Sequence, residues 1–254
     1  MYLAERGYVS LDDIVAHLGT SISTARRDLE EMQRRGAVRR TRGGAVFTGA
    51  RRHPLEYQIR ESQNVAEKEA IGEVVAGFVR DGDAIILDGG TTTYRVAKRL
   101  RGRHIQVVTN SLPIAALLGN CAETELIFLG GYVMPQTGVS LGTYAEQMLR
   151  SLHVRLAVMG TAGVTGEGLF NAHMLMVELE RLMMKAAEEV VVAVDHTKFG
   201  RKSLAKLCAL NEIHHLVSDG ALDVSWSEVL RSSGVKVHLA QAAGRDGDRS
   251  GGGG

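Results

Sequence analysis

Two groups of residues in the chain carry chemistry. The first is Asp88-Gly89-Gly90-Thr91-Thr92-Thr93, which closes the apolar run AIILD and leads into a stretch bearing Val96 and Leu100 at helical spacing. Glycines let a backbone approach an anion closely, and a helix amino end flanked by threonine hydroxyls supplies donors. This is a phosphate-loop pattern, although a Gly-Gly-Thr sequence alone also serves as an ordinary tight turn. It is neither G-x-G-x-x-G nor G-x-x-x-x-G-K-[ST], so dinucleotide binding and nucleotide hydrolysis are poorly supported. The second group is Ser21, Ser23, Thr24, Arg26 and Arg27, followed by Arg40 and Arg42. Small hydroxyls and guanidinium groups near a helix amino end suit phosphates and base edges in a DNA major groove.

Each group needs elements to hold it. Ser10 precedes Leu11, Asp12 and Asp13, a cap-and-acid start, and Leu11, Ile14, Val15 and Leu18 then repeat at helical spacing up to Gly19. Ser21 caps a second helix whose Ile22, Ala25, Leu29 and Met32 form an inward stripe, with Gly36 as its stop signal. Two short helices across a tight glycine-containing turn predict a helix-turn-helix. Val38–Arg40 and Ala45–Phe47 flank Thr41, Arg42, Gly43 and Gly44, a two-stranded wing with a basic tip that would follow the sugar-phosphate backbone or minor groove. The alternative is that Arg26 and Arg27 pair with Glu30 and Glu31 on a solvated face. The succession of capped helix, turn, capped basic helix and basic wing favours DNA.

From Val46 to Gln63 the apolar periodicity lapses, and Gly49, Arg51, Arg52, His53 and Pro54 mark a connecting segment. Asn64 with Glu67 signals a capped helix start, and Ile71, Val74, Val75, Phe78 and Val79 predict a long amphipathic helix. Apolar runs then alternate with helical ones: AIILD at 84–88, IQVVT at 105–109, ELIFL at 125–129, RLAVMG at 155–160, EVVVAVD at 189–195, HHLVSD at 214–219 and VKVHL at 235–239. Such runs predict a mostly parallel sheet covered on both faces, hence an α/β domain. Ligands bind such sheets beyond the carboxyl ends of the strands. That rule adds Thr109, Asn110 and Ser111, then Gly130 and Gly131, then Gly160 and Thr161, and finally Asp195 and Lys198. Lys198 can give a phosphate a point charge, and Asp195 can accept from sugar hydroxyls or hold Lys198. A lone loop lysine is otherwise simply solvated.

Composition narrows the classes. Apolar residues make up 44% of the 254 and charged residues 23%, which excludes a disordered chain and permits a sizeable core. No run approaches the ~18 apolar residues of a membrane helix, and MYLAERGYVS has no signal-peptide core, so a cytoplasmic protein is expected. Cys121 and Cys208 are too few for a disulfide scaffold or a four-thiolate metal site and read as small buried hydrophobes. No cofactor and no metal ion are expected. The net charge of +1 is unevenly spread: residues 1–52 carry ten Arg, no Lys and six acidic residues, a surplus of guanidinium suited to phosphate and base recognition.

The run GYVSLDDIVAHLGTSISTARRDLEEMQRRGAVRRTRGGA resembles the winged helix-turn-helix of the DeoR family of bacterial transcription regulators, most specifically in Thr24–Leu29 and Arg40–Ala45. The motifs AEKEAI, GDAIILDGGTTT, VVTNSLPIA, LGG and D-x-x-K-F-G resemble that family's carboxyl-terminal sensor domain, whose fold is similar to sugar-phosphate isomerases; the resemblance covers about residues 5–240. It implies a phosphorylated sugar or related metabolite as inducer, bound by Asp88 through Thr93, Thr109 through Ser111, Gly130, Gly131, Gly160, Asp195 and Lys198. Four positions depart from the family pattern. Thr20 and Ala25 replace Val and Ile between the two helices, Arg155 stands where Asp is common, and Met176 stands where an acidic residue is common. The last two are expected near the pocket. Before Gly7 only Met1 to Arg6 stand where the family has a full apolar helix, so either the true start lies upstream or the small domain is marginally stable.

The rival from another class is a sugar-phosphate isomerase with an accessory DNA-binding module. It needs a general base beside the substrate C–H. Asp88 and Asp195 adjoin the presumed phosphate donors and look like orienting residues, Glu167 sits in a turn, and the adjacent His214 and His215 cannot chelate one metal from a strand. The sequence therefore predicts a homo-oligomeric repressor of a sugar or polyol utilisation operon, released from double-stranded operator DNA by a phosphorylated sugar. Its expected organisation is a DNA-binding domain at 1–48, a linker at 49–63, a sensor domain at 64–240 and a disordered tail at 241–254.

Overall fold

The computed structural model describes residues 8–34, 38–41, 43–47 and 56–241. The chain forms two compact units, Met1–Pro54 and Leu55–Gly254. The expectations attached to Met1–Arg6, Gly36, Arg42 and residues 242–254 lie outside the described residues.

In the amino-terminal unit, helix α1 (Leu11–Leu18) starts where the Ser10 hydroxyl accepts from Asp13 N at 3.1 Å and stops at Gly19, which adopts φ 62°. Helix α2 (Ile22–Arg34) starts with the Ser21 hydroxyl accepting from Thr24 N at 3.2 Å. Strands β2 (Val38–Thr41) and β3 (Gly44–Phe47) pair antiparallel with Thr41 opposite Gly44, which makes the wing a tight hairpin. A third strand, β1 (Tyr8–Ser10), pairs with β3; at three residues it was too short to show an alternation in the sequence. A Cβ at Gly44 would stand 2.2 Å from Val9 O, so the close approach of β1 requires glycine there. Val9, Ile14, Ala25, Leu29, Val38 and Ala45 fill a small core.

The second unit is built on seven strands in the order β15-β14-β12-β9-β4-β5-β6, every neighbouring pair parallel. They are β4 (Ala84–Leu87), β5 (Ile105–Thr109), β6 (Thr124–Phe128), β9 (Val154–Met159), β12 (Ala187–Ala193), β14 (His215–Asp219) and β15 (Lys236–Ala240). All seven apolar runs became strands of this sheet. Two hydrophobic layers cover it: Leu149, Leu169, Leu179 and Met183 are among the side chains of one layer, and Ile71, Val75, Val96 and Leu118 among those of the other. Short antiparallel pieces, β7 (Tyr132–Met134) with β8 (Val139–Leu141) and β10 (Gly163–Thr165) with β11 (Gly168–Asn171) and β13 (Ala205–Cys208), stand outside the sheet.

Three expectations are corrected here. Part of the segment read as a linker is helix α3 (Glu56–Glu61), whose Tyr57 is buried. Helix α4 (Val65–Ala76) is shorter than its apolar periodicity implied, because the chain turns at Gly77 and brings Phe78 and Val79 in from two successive turns. Asn64 does not cap α4 with its side chain; it takes φ 49° and sends its amide elsewhere.

Because the small core has few residues, Leu29→Ala should destabilise the amino-terminal unit by about 2–5 kcal/mol, most of what so small a domain has. Scanning calorimetry should show the small unit's transition lost and that of the large unit unmoved; a common shift of both would contradict independent units.

Candidate effector site and nucleic-acid interface

After β4 the chain runs out to β5 and β6 and then returns to β9 on the other side of β4. The crevice at such a reversal lies outside the carboxyl ends of the two central strands and is where open α/β sheets bind ligands. Here it is a small cleft of about 50 Å³.

One wall is the loop Gly89–Gly90 and the first turn of helix α5 (Thr91–Arg99). Gly90 caps α5 without a side-chain hydrogen bond, and Thr91 and Thr92 line the cleft. Thr93 Oγ1 donates to Gly90 O at 3.0 Å, so that hydroxyl is used to shape the loop. A Cβ on Gly89 would stand 2.1 Å from Val139 Cγ1, which makes this glycine a packing requirement.

Three cations face the cleft: Arg60 from α3, Lys68 from α4, and Lys198 from the 3-10 turn His196–Lys198. Lys68 is only 3% exposed, and burial pulls its ammonium down to about 8, opposed by the charge of Asp195. Asp195 accepts from Thr197 N at 3.1 Å and from the Asn64 amide at 3.2 Å, so it organises the lysine-bearing turn and ties it to α4.

The floor is acidic. Asp88 accepts from Gly160 N at 3.1 Å, and burial raises its pKa. Glu180, from helix α8 (Met174–Lys185), is raised well above the usual carboxylate range by burial and then by the Asp88 charge. Asn171 donates to both Glu180 oxygens at 2.7 and 2.6 Å, and its own oxygen accepts from Ala162 N. Met176 lies one turn before Glu180 on the same helix face and completes the wall.

The structure thus brings Asp88 through Thr93, Gly160, Asp195 and Lys198 together around one cleft. Thr109, Asn110, Ser111, Gly130 and Gly131 do not line it. Thr109 Oγ1 donates to Leu87 O at 2.7 Å, Ser111 caps helix α6 (Leu112–Leu118), and the Asn110 amide donates to Ser140 O at 3.2 Å. Gly131, at φ 140°, passes Leu141 O so closely that a Cβ would stand 2.4 Å from it. These residues brace the loop wall. Arg155 was placed near the pocket and is not; it lies near the start of β9, bonded to Asp83 at 2.6 Å and Phe78 O, while the cleft is at the end of that strand. Arg60, Lys68, Asn171 and Glu180 were not singled out in the sequence. Only Lys68, inside the AEKEAI motif, carried a signal. Glu167 is exposed and pairs with Lys202, away from the cleft. His214 accepts from Val190 N, and His215 lies 3.1 Å from His238. Among the described residues no three His, Cys, Asp or Glu are grouped to hold a metal ion.

In the amino-terminal unit Arg26 and Arg27 are exposed on α2, as are Ser21 and Ser23, with Thr24 half-buried. The Ser21 hydroxyl bonds those of Ser23 and Thr24 at 2.8 and 2.9 Å, forming a hydroxyl cluster at the helix amino end. The glutamates weighed as partners for Arg26 and Arg27 are engaged elsewhere: Glu30 pairs with Arg40 and Glu31 with Arg34.

Residues 1–50 match the DeoR-like helix-turn-helix domain and residues 63–220 the DeoR C terminal sensor domain. The HTH-type transcriptional repressor GlcR of Bacillus subtilis is 31% identical over 96% of this chain and 95% of its own. The HTH-type transcriptional regulator GlpR of Haloferax volcanii is 33% identical over 90% of both, and a putative aga operon transcriptional repressor of Escherichia coli O157:H7 is 30% identical over 93% of this chain and 90% of its own. Ribose 5 phosphate isomerase A from Neisseria gonorrhoeae superposes on 52% of each chain at 17% identity and a TM-score of 0.39, too remote to support an enzymatic role. No helix among the described residues is long and apolar enough to cross a membrane. With a sensor domain spanning more than half its length behind a DNA-binding module, the chain belongs to the DeoR family and is a transcription regulator rather than an enzyme.

Proposed function

We propose that this regulator represses a sugar or polyol utilisation operon in the cytoplasm and is released from operator DNA by a phosphorylated sugar held in the cleft between β4 and β9. The observation that carries this reading is the convergence of Arg60, Lys68 and Lys198 on the uncapped amino end of α5. Three cations and a helix amino end suit a phosphate dianion. The floor of Asp88, Asn171 and Glu180 offers carboxyl and amide groups to sugar hydroxyls. Paired operator half-sites call for a symmetric reader, so the working form is a dimer or higher homo-oligomer. GlcR, GlpR and the aga repressor are named as regulators of related kind, which supports the same reading.

The test is calorimetric titration with a panel of pentose and hexose phosphates. Lys198→Ala should lower affinity about ten- to a hundredfold, the loss of one charged hydrogen bond of roughly 1.5–3 kcal/mol, and Thr92→Val should weaken binding by a smaller factor. Unchanged affinity in both variants would remove the phosphate from this cleft.

Affinity should also depend on pH. An anion beside Lys68 favours the protonated ammonium, so complex formation above pH 8 must take up a proton and affinity falls as pH rises through about 8. Below about pH 6 the phosphate loses its second charge, and affinity falls again. Titrations at pH 8.5 in two buffers of different ionisation enthalpy should report net proton uptake; net release would contradict the assignment of Lys68.

On the DNA side, Arg27→Ala should cost about 1–3 kcal/mol of operator affinity by loss of a base or phosphate contact. Wild-type affinity at equal salt in a folded variant would move the interface off α2. Arg42 lies outside the described residues and belongs to the same proposal: its replacement should weaken operator and non-specific DNA about equally and reduce the salt dependence of binding.

A further inference from the structure

Helix α3 opens the large unit, residues 48–55 join it to the end of β3, and its Arg60 faces the effector cleft. Its two ends are held differently. At the carboxyl end Lys68 Nζ donates to Arg60 O and, at 2.6 Å, to Gln63 O. An ammonium has three N–H groups, so one remains for the cleft while two fix the end of α3 to α4.

The amino end is held by less. Tyr57 N donates to Gln136 O at 3.0 Å, while the buried Tyr57 hydroxyl has no hydrogen-bond partner. Arg60 Nε stands 3.6 Å from Glu56 Oε1, too far for a hydrogen bond, and it too is buried without a partner. A buried guanidinium N–H lacking an acceptor gains from any acceptor brought to it. Against it stands only a long ion pair to a half-exposed carboxylate, a weak competitor. A phosphate in the cleft can take two parallel hydrogen bonds from the same guanidinium.

From this we propose that Arg60 carries the occupancy of the cleft into helix α3. An incoming anion draws the guanidinium from Glu56, while Lys68 keeps the far end of the helix on α4. The rearrangement is then felt at the amino end of α3, where the chain arrives from the DNA-binding unit. The proposal rests on the reading of the cleft as the site of a phosphorylated effector. It makes Arg60 the contact that couples the bound anion to release, separable from Lys198, which contributes affinity alone.

The experiment uses the full chain, an operator duplex that the protein itself selects from a random pool, and glucose 6-phosphate, fructose 1-phosphate and inorganic phosphate as probes. Operator Kd is followed to saturation with each probe, and each variant is checked for a cooperative thermal transition. In the wild type a saturating probe should raise operator Kd by about tenfold or more. Lys198→Ala should need more probe but reach the same plateau. Arg60→Gln should still bind probe by calorimetry yet change operator Kd by less than about twofold, and Arg60→Lys should restore part of the plateau. Glu56→Gln, outside the cleft, should lower the half-saturating probe concentration by a few-fold, and it decides the matter if Arg60→Gln fails to fold. A wild-type plateau in Arg60→Gln, or an unmoved midpoint in Glu56→Gln, overturns the role of Arg60 and leaves the effector site standing. Failure of every probe to bind the wild type overturns both.

Discussion

A parallel sheet reverses its winding once, between β4 and β9, and everything the large unit can bind depends on that reversal. On either side of it, crossover connections cover the ends of the strands; at it, the loops after β4 and β9 diverge and leave a crevice. Into the crevice project the backbone of Gly89–Gly90, the first turn of α5 and the Gly160–Thr161 turn. The Asp88 carboxylate bridges the two loops by accepting from Gly160 N, so the same residue that closes one strand fixes the distance to the next. The elements outside the sheet serve this crevice. Strand β8 packs Val139 against Gly89, and β11 ends in Asn171, which orients Glu180.

The charges in the crevice are sorted. The cations come from α3, α4 and the 3-10 turn, while the carboxyls of Asp88 and Glu180 lie against the strand ends and α8. Both carboxyls are raised by burial, and Glu180 is raised further by the charge of Asp88. On the proposed reading, a floor of carboxyl and amide groups suits hydroxyls and a cationic wall suits phosphate, which would orient the ligand. Met176 gives the same wall an apolar side chain.

The sheet was legible in the sequence because its central strands are buried on both faces and read as unbroken apolar runs, as AIIL and VVVA do. The loop wall was legible for a related reason: Asp88 to Thr93 is contiguous, and strand ends are where such ligands go. Arg60, Lys68 and Glu180 were not, because they stand on three separate helices and only tertiary packing brings them to one place. Arg60 had the further disguise of standing in a stretch without periodicity, since a helix of six residues is too short to show one. Arg155 shows the opposite error. Its place beside the strand-forming residues was right, but position along a strand decides which edge of the sheet a side chain serves, and β9 carries Arg155 at its entry and Gly160 just past its exit.

The two units differ in the cores that their described residues build. Among those residues a cluster of six buried side chains, with Leu11, Val15 and Met32 against it, holds the amino-terminal unit, whereas the sheet of the large unit is covered on both faces. Effector and operator act on each other by one coupling free energy, so the effector needs a difference of only a few kcal/mol between the states that bind and release DNA. In a rigid reader such a difference would have to be built from large rearrangements. In a marginal one, the exchange of a partly exposed ion pair for a charged hydrogen bond at the base of the connecting chain is of the required size. On the reading proposed for the cleft, a small unit of low stability and a lightly held α3 would act alike: each would keep the cost of switching within what a single phosphate can supply.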